Sequence, residues 1–88
     1  MRESSVETAL VAAAEAEGWR TKKLAKTSER GDPDRWFGRR GVSKFIEVKR
    51  PGKRPNRQQV KRILELIDDG FDAGWCDNVE DGLAILRR

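Results

Sequence analysis

Glu47 and Lys49 stand two residues apart in the hydrophobic run Phe45-Ile46-Glu47-Val48-Lys49, and a second carboxylate source, Gly31-Asp32-Pro33-Asp34, lies upstream. On a strand, residues i and i+2 share a face, so this spacing sets a carboxylate beside an ammonium. Such a pair can hold a hard cation and orient an attacking water. The chain contains no histidine and no tyrosine, which excludes histidine general-base chemistry, serine-histidine triads, histidine zinc ligands and tyrosine-based strand transfer. Its one cysteine, Cys76, leaves too few soft ligands for a structural zinc site. Carboxylate, lysine and oxygen-bound metal chemistry remain.

Charge indicates what such a site would act on. From Arg20 to Arg62 there are 16 lysines and arginines against 4 acids, a balance of +12, whereas the remaining residues carry 3 basic and 11 acidic side chains, a balance of −8. A basic block of this kind attracts a phosphate backbone through counterion release. The four acids inside it, Glu29, Asp32, Asp34 and Glu47, would repel that backbone unless a divalent cation sat between them. Their presence therefore argues for metal-assisted chemistry over simple binding. Arg50, Lys53, Arg54 and Arg57 are expected phosphate contacts. Arg35 and Trp36, beside Asp34, are expected DNA contacts, with Trp36 the candidate for base stacking.

These residues need a scaffold, and 88 residues suit one domain spanning positions 1–88. Ser4 with Glu7 three positions on fits a capping box for a helix over 5–17, with Val6, Leu10, Ala13 and Glu17 on one stripe. Trp19 to Leu24 reads as a polar strand, and Thr27 to Pro33 is rich in turn formers. Asp34 to Gly38 and Ser43 to Lys49 read as strands joined by Gly38-Arg39-Arg40-Gly41, and Arg50 to Pro55 as a loop. Asn56 and Gln59 fit a second capping box, opening a helix whose apolar face is Val60, Ile63, Leu64 and Ile67 and which Gly70 stops. Phe71, Ala73 and Trp75 alternate as a last strand, and Asn78 caps a final helix carrying Leu83, Ile85 and Leu86. No apolar run approaches the roughly 18 residues of a membrane span, and the first residues lack a signal-peptide stretch. With a single cysteine, these features predict an intracellular, cytoplasmic protein without a membrane partner.

The order helix, strand, hairpin, helix, strand, helix, with Pro33-Asp34 and then Glu47-Val48-Lys49, resembles the PD-(D/E)XK restriction-endonuclease-like superfamily. Within it, the chain is most similar to the VRR-NUC (viral replication and repair nuclease) family. Glu7, Gly31 to Asp34, Phe45 to Gly52 and Gln59 match that family's pattern, and Asp34 and Glu47 lie thirteen positions apart, enough for two strands and a turn. The resemblance implies an α/β fold, a mixed sheet flanked by helices. It implies that Asp34 and Glu47, with the main-chain carbonyl of Val48, bind Mg²⁺ or Mn²⁺, and that Lys49 positions water and offsets charge on the phosphate. Glu7 would add an acidic group to the metal site and Gln59 a polar group near Lys49 or the scissile phosphate, although both also fit helix caps. Small stand-alone members look like resolvases of branched DNA, including four-way (Holliday) junctions, which implies a homodimer encoded by a bacterium or a virus. A nuclease acting on flaps or single strands, a non-catalytic DNA-binding module and a plain interaction protein are the alternatives.

Overall fold

The computed structural model describes residues 2–25 and 31–88; Glu29 and the rest of the turn-rich segment 27–30 lie outside the described residues. The elements run α1 (Glu3–Ala16), β1 (Arg20–Lys23), β2 (Arg35–Arg39), β3 (Val42–Val48), α2 (Arg57–Asp68), β4 (Asp72–Cys76) and α3 (Val79–Arg87). The four strands form one mixed sheet in the order β1-β2-β3-β4, antiparallel except for the parallel pair β3 and β4. Among the described residues no helix is long and apolar enough to cross a membrane.

Strand alternation divides the apolar residues between two faces. Phe37, Ile46, Val48 and Cys76 pack against Val6, Leu10 and Ala14 of α1 and against Ile85 and Leu86 of α3. On the opposite face Phe45, Ala73 and Trp75 meet Ile63 and Leu66 of α2, and Phe45 and Phe71 make an edge-to-face pair with centroids 5.6 Å apart. Ile46 and Val48 thus point away from Phe45 and Glu47, as the alternation predicts.

Several boundaries differ from those expected. Helix α1 starts at Glu3, so Ser4 lies inside its first turn and no side chain caps it; the Ser4–Glu7 capping box does not form. Its buried stripe is Val6, Leu10 and Ala14 instead of one through Ala13, the i, i+4, i+8 choice that faces the sheet most squarely. The hairpin is tighter than the expected four-residue connection. Arg39 pairs with Val42, leaving Arg40 (φ 52°) and Gly41 (φ 79°) as a two-residue turn whose positive φ angles match the strand twist. On α2 only Ile63 and Leu66 are buried, while Val60, Leu64 and Ile67 are exposed. The second capping box forms in full: the Asn56 side chain accepts from Gln59 N–H and the Gln59 side chain accepts from Asn56 N–H, each at 2.9 Å.

One buried charge holds the far side of the sheet to α3. Lys44 is 2% exposed, and its Nζ donates to the carbonyls of Ile85 (2.7 Å) and Arg88 (2.9 Å) and pairs with Asp72 (2.8 Å). Three acceptors match the three ammonium protons. Lys44→Met leaves those carbonyls without a donor, so chemical denaturation is expected to show a loss of about 2–4 kcal/mol.

Candidate active site

Asp34 is delivered to the sheet by a turn fixed against α2. Gly31 has φ +88°, and a Cβ there would lie 2.6 Å from the carbonyl oxygen of Gln58, so only glycine permits this approach. Asp32 is bound to Arg62 of α2 at 2.7 Å, and Pro33 is buried. Asp34 follows at the mouth of β2, where its Oδ2 accepts the Val48 N–H at 2.8 Å. Asp34, and not Asp32, therefore meets the β3 carboxylate. Gly31→Ala pushes this turn off α2, and an unfolding titration is expected to show a loss of about 1–3 kcal/mol.

Glu47 is buried and held from two sides. It is 2% exposed. Its Oε2 accepts from Gln59 Nε2 at 2.9 Å and pairs with Lys49 Nζ at 3.3 Å, whereas its Oε1 is buried with no hydrogen-bond partner. Burial, and next the negative charge of Asp34, push its pKa from 4.5 up to about 7, against the pull of Lys49. Gln59 thus serves both expected uses at once, capping α2 and gripping the carboxylate. Lys49, with its side chain only 13% exposed, brings its ammonium to the same oxygen.

The first helix contributes an acid, but not the expected one. One carboxylate oxygen each from Glu3, Asp34 and Glu47 lie within 4.8 Å of one another. Glu7, one helical turn further on, is instead held by Arg35 Nε at 2.7 Å and lies 4.0 Å from Lys23 Nζ. Arg35 also donates to Thr21 Oγ1 at 2.9 Å. Both expected site residues, Glu7 and Arg35, are therefore engaged with each other. Glu3 and Glu7 are four positions apart on one helix face, and starting the helix at Glu3 selects the earlier one. Without that boundary the sequence offers no signal favouring Glu3.

Three negative groups from α1, the turn before β2 and β3 converge on a site with one buried, unpaired oxygen. An orphaned buried carboxylate oxygen costs free energy unless something positive meets it, and an all-oxygen donor set suits a hard divalent cation. Glu3, Asp34 and Glu47 could hold such an ion, and the Val48 main chain runs beside Asp34. Arg50, Lys53, Arg54 and Arg57 are all exposed in or next to the loop that follows Lys49. That loop is tied down by Gly52 N–H, which donates to Asp77 at 2.9 Å. Trp36 lies on the same strand face as Asp34, with its Nε1 donating to Ser43 Oγ at 3.0 Å. Trp19, by contrast, is buried in the core under the Arg39 guanidinium, 4.5 Å from the ring centroid.

No protein-family profile and no curated protein matches the chain. Among solved structures, a VRR_NUC domain superposes on it with a TM-score of 0.84 and 22% sequence identity, the match covering 98% of this chain and 95% of the other. The likeness is one of fold, and it bears out the expected helix and strand order with its mixed four-stranded sheet.

Proposed function

We propose that residues 1–88 form one domain of the VRR-NUC kind, a Mg²⁺- or Mn²⁺-dependent endonuclease that hydrolyses phosphodiester bonds in branched DNA, four-way junctions foremost. The observation that carries this reading is the convergence of Glu3, Asp34 and Glu47 within 4.8 Å beside the largely enclosed side chain of Lys49, in a basic chain with the fold of a VRR_NUC domain.

Glu3, Asp34 and Glu47, with the Val48 carbonyl, would hold the ion, which supplies Lewis-acid charge at the scissile phosphate. The rest is the work of side chains. Lys49 orients and polarises the attacking water and offsets negative charge as it grows on the phosphate oxygens. Gln59 holds Glu47 in one rotamer, so the carboxylate needs no reorganisation when DNA arrives. Arg50, Lys53, Arg54 and Arg57 neutralise backbone phosphates, which makes affinity fall steeply with salt. Glu7 and Arg35 brace α1 against β1 and β2, keeping Glu3 in place.

Symmetrical cutting of two strands takes two sites, so the working form is a two-fold homodimer. An apolar surface for it lies on α2, where Val60, Leu64 and Ile67 are 41%, 60% and 47% exposed. Leu64→Glu is expected to convert the dimer to a monomer in sedimentation analysis, and to abolish paired cuts while single nicks persist. The protein acts in the cytoplasm, where Cys76 stays reduced; burial pushes its thiol up to about 12, so it takes no part in the chemistry.

The test is a panel of four-way junction, flap, single-stranded and linear duplex DNA, incubated with Mg²⁺ or Mn²⁺ or with chelator. Cleavage of the junction that needs metal and falls about 10²–10⁴-fold in Glu47→Ala is expected. Unchanged cleavage in both Glu47→Ala and Lys49→Ala rules out this site, and a preference for flaps or single strands overturns the junction assignment alone.

A further inference from the structure

The half of the α2-side sheet face that α2 leaves open carries an aromatic platform. Helix α2 packs chiefly on β4, so among the described residues no helix lies over Arg20, Lys22, Trp36 and Gly38, which β1 and β2 present on that side. The register sets Lys22 opposite Trp36 and Arg20 opposite Gly38, and both basic residues are exposed.

The indole is held down on the sheet. A Cβ at position 38 would fall 2.1 Å from Trp36 Cζ2 and 2.4 Å from Cη2, so the benzo ring occupies the space that any side chain there would need. The hydrogen bond from Nε1 to Ser43 Oγ fixes the ring about its remaining axis. One ring face is spent on Gly38; the indole also lines an open pocket of about 480 Å³ with Arg20, Arg39, Arg40 and Ser43, whose one acid, Glu17, is paired with Arg87. A flat aromatic among cations, with its N–H already satisfied, suits stacking of a nucleobase with phosphates on either side.

Position along the strand connects this platform to the acids. Asp34, Trp36 and Gly38 alternate on one face, and the indole, lying over Gly38, sits roughly 13 Å along the strand from Asp34 at about 3.3 Å per residue, about two nucleotides from the scissile phosphate. We propose that an unpaired base flanking the cut stacks on Trp36, with Arg20 and Lys22 on the adjoining phosphates, so that the enzyme selects DNA whose pairing is already broken beside the scissile bond. Only a base freed from its stack can lie on the indole, which makes the platform a reader of branch points and not of sequence.

This rests on the nuclease reading, and metal-free binding separates the two. Affinity is measured in chelator with junctions and single strands bearing either a normal base or an abasic residue beside the cut. Trp36→Ala is expected to weaken binding of the normal substrate by roughly 5- to 100-fold and to leave the abasic one unchanged. Trp36→Phe is expected to retain most of the affinity, and Gly38→Ala, which lifts the ring, to behave like Trp36→Ala. Wild-type protein that binds normal and abasic DNA equally overturns the platform irrespective of how any variant folds. Base-dependent binding by a protein that cuts nothing supports the platform and overturns the nuclease; cleavage without base dependence does the reverse.

Discussion

Glu47→Gln is expected to abolish cleavage and, at the same time, to make the metal-free protein more stable at pH 8. The wild-type carboxyl is held at about 7 instead of 4.5, first by burial and then by Asp34. Between those values the folded chain keeps a proton that the unfolded chain releases, so the stability of the metal-free protein falls as pH rises through that window. At about 1.4 kcal/mol per pH unit the full interval amounts to at most about 3.5 kcal/mol. Glutamine cannot ionise, so the variant's stability does not follow this fall. Urea denaturation in chelator at pH 4.5 and pH 8 measures it: the two proteins should nearly coincide at pH 4.5, part as pH rises from about 4.5 to about 7, and keep a constant gap above that. Mg²⁺ should raise the wild-type midpoint at pH 8 and leave the variant close to its metal-free value. Parallel stability curves for the two proteins would show that Glu47 is not the titrating group.

Lys49→Ala is expected to cost about 10²–10⁴-fold in cleavage rate while DNA affinity, set by the exposed Arg50, Lys53, Arg54 and Arg57, changes little. It should also displace the pH dependence. Lys49 is the group that draws the Glu47 pKa down, so without it the carboxyl holds its proton to higher pH and the acidic limb of the rate profile moves towards alkaline values. Single-turnover rates across pH, at saturating DNA, separate these effects. A rate loss with no movement of the limb would place Lys49 outside the Glu47 environment.

Much of this site could be read from local signals. Glu47 and Lys49 fall two apart on a strand, and the Asn56–Gln59 capping box has a fixed spacing; both depend on neighbours in sequence. Asp34 over Asp32 could not be read that way, because the choice is made by Arg62, thirty positions away. Glu3 over Glu7 turned on a helix start without a capping side chain, and a capping box in the sequence pointed two residues too late. The α2 face differs from its periodicity for a related reason. Periodicity marks Val60, Ile63, Leu64 and Ile67 as one apolar stripe, but the narrow contact with β4 buries only Ile63 and Leu66. Lys44 left no trace, since a lysine near a strand end reads as solvent-facing until a distant helix end supplies carbonyls for it.

The double use of Gln59 has a consequence for how the molecule should fail on heating. Helix ends fray before helix middles, and here the first turn of α2 is the same structure that clamps Glu47. Loss of catalysis should therefore precede global melting, with an inactivation temperature that follows amide exchange at Gln59 and Val60 instead of the cooperative unfolding of the sheet. A tighter cap at position 56 would then act as a heat-tolerance mutation for activity alone.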